Sequence, residues 1–227
     1  RFVGFRGLEE LKRYFPIHTS DVPFTANYNI APSQEILALV RRDKQNVLDL
    51  FHWGLVPFWA KDVSIGNKMI NARVETVATK PSFRNAFKKR RCLIISDGFY
   101  EWTGAKGKKQ PVFLTLPEDK PFAFAGLWET WKDRGQADQD YRSCTIITMP
   151  ASDSVRPVHH RMPAIIRSAK YESWLDPDNQ DVAMLEDILV NWTVTELTSR
   201  PVSKQVNNVR NNEASNINPL KQMEIQF

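Results

Sequence analysis

The run Cys92-Leu93-Ile94-Ile95-Ser96-Asp97-Gly98-Phe99-Tyr100-Glu101-Trp102 decides the fold class. Its aliphatic and aromatic residues read as strand from end to end. Residues 110–116, 121–131 and 142–149 repeat that character with turn residues between them, so the centre of the chain is an antiparallel sheet.

Before this centre, residues 82–91 read as a helix, with Ser82 as N-cap, Phe83 and Phe87 one turn apart, and Lys88-Lys89-Arg90-Arg91 in its last turn. Residues 35–40 and 47–53 are apolar runs flanking the polar turn 41–46, which reads as a hairpin. Residues 8–15 carry Leu8, Leu11, Tyr14 and Phe15 at helical spacing until Pro16 ends the pattern. After the centre, 162–167 reads as strand, 168–175 and 181–190 as helices, and 192–197 as strand again. The loop 132–141 is polar and expected to be mobile, and 223–227 reads as a tail. Helices are interspersed without a repeated βαβ rhythm. The fold class is therefore α+β: one domain over residues 1–222, with a curved or barrel-like, mainly antiparallel sheet and flanking helices.

The chain has 227 residues, of which 42% are apolar and 11% aromatic, enough to bury a core without disulfide or metal staples. That composition excludes a disordered chain or a fibre. No apolar stretch approaches the roughly 20 residues of a membrane span, and no secretory signal is visible behind Arg1-Phe2-Val3-Gly4. Cys92 and Cys144 sit in apolar runs and are too few for a disulfide framework, which predicts two buried thiols and a reducing, cytoplasmic setting. The net charge of +5 permits a polyanionic partner without demanding one.

The sequence has no Gly-rich phosphate loop, HExxH, GxSxG or CxxC, so nucleotide hydrolysis, zinc catalysis and the common serine hydrolase plan lose their usual signatures. No metal site and no cofactor is expected. Other segments carry the chemistry. Glu101 lies between Tyr100 and Trp102, where an aromatic, poorly hydrated setting would suit a general acid or base; pairing with Arg73 or Arg161 is the competing reading. His159 and His160 supply a group that titrates near neutrality, or an ordinary hydrogen bonder at a loop-to-strand junction. Trp53, Pro57, Phe58 and Trp59 crowd aromatics beside Gly54, as in a rigid loop that stacks on unpaired bases, or as in a satellite core cluster. Arg1, Arg73, Arg161 and Arg210 are candidates to cradle phosphates, whereas the basic cluster 88–91 reads mainly as a solvated helix end.

Four runs together, NARVET at 71–76, DGFYEW at 97–102, HHRMPAI at 159–165 and VNNVRNN at 206–212, resemble the SOS-response-associated peptidase (SRAP) family, over nearly the whole chain from Arg1 to about Leu220. The resemblance implies the family's fold and an abasic-site processing activity in which the protein attaches itself to abasic sites in single-stranded DNA. In that family the nascent chain starts Met-Cys-Gly-Arg, and Arg1 matches the arginine, so the implied nucleophilic cysteine falls two positions before Arg1, outside the 227 residues. Cys92 and Cys144 match no catalytic position. By the same resemblance Glu101 shuttles protons, His159 rather than His160 assists ring opening, and Asn71 positions the cysteine. Arg1, Arg73 and Arg161 would hold phosphates, Pro32, Phe58 and Trp59 would wedge or stack beside the lesion, and Trp102 would complete the pocket wall. The implied partner is single-stranded DNA with abasic sites. A monomer, nucleoid-associated if bacterial, is expected, with no membrane partner. Two alternatives stand beside this reading: a self-processing peptidase working through the thiol or Glu101, and a single-stranded DNA binder without chemistry.

Overall fold

The computed structural model describes residues 1–132 and 140–220, so most of the expected mobile loop and the whole expected tail lie outside the described residues. Its strands are β1 (Phe2–Gly4), β2 (Thr19–Ser20), β3 (Asn27–Ile30), β4 (Glu35–Arg42), β5 (Gln45–Trp53), β6 (Asn71–Arg73) and β7 (Arg91–Ser96), followed by β8 (Gly98–Thr103), β9 (Gln110–Thr115), β10 (Phe122–Lys132), β11 (Asp140–Pro150), β12 (Arg161–Pro163), β13 (Ile165–Ile166) and β14 (Thr198–Pro201). The α-helices among the described residues are short: α1 (Leu8–Leu11), α2 (Arg84–Lys89), α3 (Tyr171–Leu175) and α4 (Val182–Asn191). None is long and apolar enough to cross a membrane.

The strands form two sheets. One has the order β14-β9-β8-β1-β3, all neighbours antiparallel. In the other, β11, β10, β7, β4 and β5 pair in turn, and β5 returns to β11 in parallel, Cys144 opposite Trp53, which closes five strands into a barrel. Both faces of this sheet are buried. On β7 and β10, Cys92, Ile94, Phe122 and Phe124 pack with residues of the second sheet such as Phe2, Phe99 and Leu114. Their alternates Leu93, Ile95, Ala123, Ala125 and Leu127 pack with Phe87, Trp174 and Leu185 of the helices. That double burial explains an unbroken apolar run where a half-exposed strand would alternate with polar residues. Both cysteines are buried free thiols, as their apolar settings predict.

The run 92–102 is not one strand. It breaks at Asp97, where the chain leaves the barrel sheet as β7 and enters the second sheet as β8. Asp97 is buried at this corner: its carboxylate accepts the Phe5 backbone N–H at 2.7 Å and pairs with the Arg6 guanidinium. Gly98 follows because a Cβ there would stand 2.1 Å from the Phe113 ring. The same clamp holds the segment after β1, and β1 is hydrogen-bonded along β8, Phe2 opposite Phe99. The start of the chain is thereby fixed beside Glu101.

Several boundaries differ from the sequence reading. The helix of 82–91 is only Arg84–Lys89, without a side-chain N-cap, and Arg91 begins β7 instead of ending the helix in solvent. Arg91 is 2% exposed, and its guanidinium donates to the carbonyls of Trp174, Phe87, Lys88, Asp176 and Asn179. Burial lowers its pKa to about 10. The helix of 8–15 keeps only its first turn. The strand of 162–167 splits at Ala164 because its halves serve different neighbours, β12 on β11 and β13 on β10. Residues 192–197 form no strand beyond a bridge from Thr193 to Ile166; the last strand starts at Thr198. The hairpin of β4 and β5 is as expected, with a turn narrowed to Asp43 and Lys44, both at positive φ.

Candidate active site

A cleft of about 380 Å³ opens between the two sheets and collects side chains from chain segments far apart in sequence, among them Arg1, Asn71, Arg73, Glu101, His159 and Arg161. Strand geometry accounts for most of the placement. β6 lies parallel to β11, with Asn71 opposite Ile146 and Arg73 opposite Thr148. Neighbouring strand side chains point to opposite faces, so Asn71 and Arg73 share the cleft face while Ala72 is buried in the core behind it. On β11, Ile146 and Thr148 line the same cleft by the same alternation.

Glu101 and His159 face each other with 4.0 Å between Oε1 and Nδ1, too far for a hydrogen bond and near enough for one bridging atom. Both are partly exposed, at 26% and 34%. His159 Nδ1 stands 3.1 Å from the backbone N–H of Arg161 and 2.9 Å from its carbonyl oxygen. The N–H donates when Nδ1 is bare, and the carbonyl accepts when Nδ1 is protonated, so one residue supports both states of the ring. The two histidines do not sit on opposite faces of a strand, because β12 begins only at Arg161. Their rings lie 4.4 Å apart, and it is the turn before β12 that leaves His159 in the cleft and His160 exposed outside it.

The backbone nitrogen of Arg1 is buried at this cleft. It lies within reach of the charge of the Glu101 carboxylate.

The three cleft arginines differ in what they already hold. The Arg1 guanidinium donates to the carbonyls of Val206 and Asn207 and lies over the Trp102 ring, 5.3 Å from its centroid. Arg161 grips both carboxylate oxygens of Glu75 and also donates to the Thr148 carbonyl at 2.7 Å. Arg73 is exposed and makes no salt bridge among the described residues, although its charge, with that of Arg161, acts on the Glu75 carboxylate. Pro32 lines the cleft. Phe58 and Trp59 are 55% and 45% exposed and stand outside its lining, Phe58 in a separate groove with Lys88 and Lys89. Trp102 borders an adjoining groove, and Arg210 is exposed away from both. Trp53 is a core residue whose indole N–H donates to the Ile70 carbonyl.

Sequence alone assigns Asn29 no role. It is 1% exposed, and its amide nitrogen donates to the carbonyls of Val206, Asn208 and Asn211 at 2.9–3.1 Å. It therefore ties the VNNVRNN segment to β3 and beneath Arg1. Its only signal was a lone amide in the otherwise strand-like Tyr28-Asn29-Ile30. Thr148 was missed too, being an unremarkable strand threonine until Arg161 is folded onto it.

The chain is 40% identical over 194 residues to the abasic site processing protein YoaM of Bacillus subtilis, covering 84% of each. It is 29% identical to the abasic site processing protein YedK of Escherichia coli, covering 93% of this chain and 91% of that one. Among solved structures, a phage-related protein from Bordetella bronchiseptica superposes with a TM-score of 0.70 at 26% identity, covering 90% of this chain and 94% of that one. A second protein from that organism, at 24% identity and a TM-score of 0.74, shares the fold, covering 89% of this chain and 98% of its own. The profile of the SOS response associated peptidase family, SRAP, matches residues 1–209, nearly the whole chain, and the chain belongs to that family.

Proposed function

We propose that this protein recognises abasic sites in single-stranded DNA and bonds to them covalently through a cysteine placed two residues before Arg1. The observation that carries the reading is the position of the Arg1 nitrogen, buried beside Glu101 in a cleft that also holds Asn71 and His159. A Cys-Gly extension from that nitrogen starts inside the cleft.

An abasic sugar opens to an aldehyde when its ring oxygen gains a proton and its anomeric hydroxyl loses one; His159 is the acid or base for that exchange. The α-amine then adds to the aldehyde carbon and passes a proton to Glu101. Glu101 returns that proton to the oxygen, giving the carbinolamine, then carries the second amine proton the same way, so that the oxygen leaves as water and an imine remains. The thiol adds across the C=N bond, its sulfur to carbon and its proton to nitrogen, closing a five-membered thiazolidine. Amine, thiol and aldehyde thus become one ring and one water. An N-terminal cysteine holds both nucleophiles near one carbon, which raises their effective concentration. Asn71 hydrogen-bonds the cysteine and fixes its orientation.

Arg73 is the phosphate contact that costs least, since it surrenders no ion pair. Arg161 enters with Glu75 as a competitor, and Arg1 acts from its carbonyl-held position. Pro32, Phe58, Trp59 and Trp102 pack against the unpaired nucleotides beside the lesion. No base is present to be read, so sequence preference is slight.

The test compares the chain starting at Arg1 with one extended by Cys-Gly. Without a reductant, the first binds abasic single-stranded DNA and leaves no adduct after denaturation, while the second forms one. An adduct from the shorter chain would move the nucleophile elsewhere and overturn the reading.

A further inference from the structure

Beside the cleft, and joined to it through Arg1, lies a shallow groove of about 440 Å³ lined by Arg1, Trp102, Gly107, Lys109, Lys204 and Asn207. Two elements distant in sequence build it. One is the β8–β9 hairpin, whose connection carries Lys106, Lys108 and Lys109 around Gly104 and Gly107, both at positive φ. The other is the single-turn helix Lys204–Asn207. All four lysines are exposed, and none pairs with a carboxylate among the described residues. The groove has a fixed aromatic wall: the Trp102 indole N–H donates to Asn207 Oδ1 at 2.7 Å, and the Arg1 guanidinium covers the ring.

Two unpaired ammonium groups, Lys109 and Lys204, beside a half-buried indole, with Lys106 and Lys108 on the same hairpin connection, form a cationic track with a stacking platform, the combination that binds a single strand. Lysines with no carboxylate to satisfy them carry no competing ion pair for a phosphate to displace. We propose that this groove takes the single strand on one side of the lesion, with the first flanking base on Trp102 and the following phosphates on Lys109 and Lys204, toward Lys106 and Lys108. The proposal rests on the abasic-site reading for what sits in the cleft, and adds where the strand goes next.

The test uses unreactive oligonucleotides carrying a tetrahydrofuran abasic analogue, so that binding is read without bond formation. One is short, with two nucleotides on each side; two others extend it on the 5′ or the 3′ side only. Extension on one side tightens binding tenfold or more, and Lys109→Glu/Lys204→Glu erases that gain while leaving the short oligonucleotide within twofold. For the extended form, losing two phosphate contacts makes the slope of log affinity against log salt shallower by about 1.4. Lys44→Glu, at the β4–β5 turn, controls for net charge and changes neither affinity. Unchanged binding of both extended forms by the double variant overturns the proposal. So does an equal loss for short and long forms, or an equal gain from a duplex extension, which offers Trp102 no unpaired base. Oligonucleotides of the same lengths without the lesion separate the two readings. If wild type binds them as tightly as the lesion forms, the abasic-site reading fails while the length dependence still reports on the groove.

Discussion

At the scale of single residues, the cleft takes one of two neighbouring histidines. His159 lines it and His160 does not, and the cause is the turn before β12, not the alternation of a strand. His159→Ala is expected to slow crosslink formation by about 10²–10⁴-fold with DNA affinity nearly unchanged, since a lost proton shuttle leaves the phosphate contacts in place. His160→Ala does much less. Both are followed as time courses, because a slow reaction reaches the same final yield; a slower His160→Ala variant would reverse the two assignments. Asn71, Glu101 and His159 were legible as candidates because short motifs mark them. Asn29 was not, because its meaning lies in three carbonyls near the other end of the chain, which no local pattern announces.

At the scale of elements, Arg91 shows how a junction can reverse a composition-based reading. Counted among the basic residues of a helix end, it belongs in water; folded, it is the hub that joins α2, β7 and the segment after α3 through five carbonyls. Arg91→Leu removes every one of those donors and leaves buried carbonyls unmet, so a loss of about 3 kcal/mol in unfolding free energy is expected. Lys88→Ala and Lys89→Ala, one turn away and exposed, stay within about 0.5 kcal/mol. Chemical denaturation distinguishes them, and an Arg91→Leu variant as stable as the lysine variants would refute the hub. Strand content was readable because apolar and β-prone residues run together. The break at Asp97 was harder to see, because one extended run looks the same whether its halves join one sheet or two.

At the scale of the whole molecule, the cleft is a meeting of the two sheets with the turn before β12, and its charge is set by which arginines are already engaged. If the proposed function holds and roughly three phosphates of single-stranded DNA are neutralised, log affinity against log salt is expected to fall with a slope of about −2. Arg73→Ala makes that slope shallower by about 0.7, the share of one phosphate contact on a single strand. Salt titration of an unreactive lesion oligonucleotide measures this, and a slope unchanged by Arg73→Ala removes that residue from the phosphate set. Local pattern was sufficient for the α+β class, the β4–β5 hairpin, the central strands and the buried thiols, because side-chain period and turn chemistry act over a few residues. Closure of the barrel through the parallel β5–β11 pair, the transfer of β8 to the second sheet, and the convergence of Arg1, Asn71, Glu101 and His159 on one cleft emerge only on folding. Each depends on contacts between residues tens to hundreds of positions apart, whose pairing is selected by the packing of the whole chain and leaves no periodic trace in any one segment.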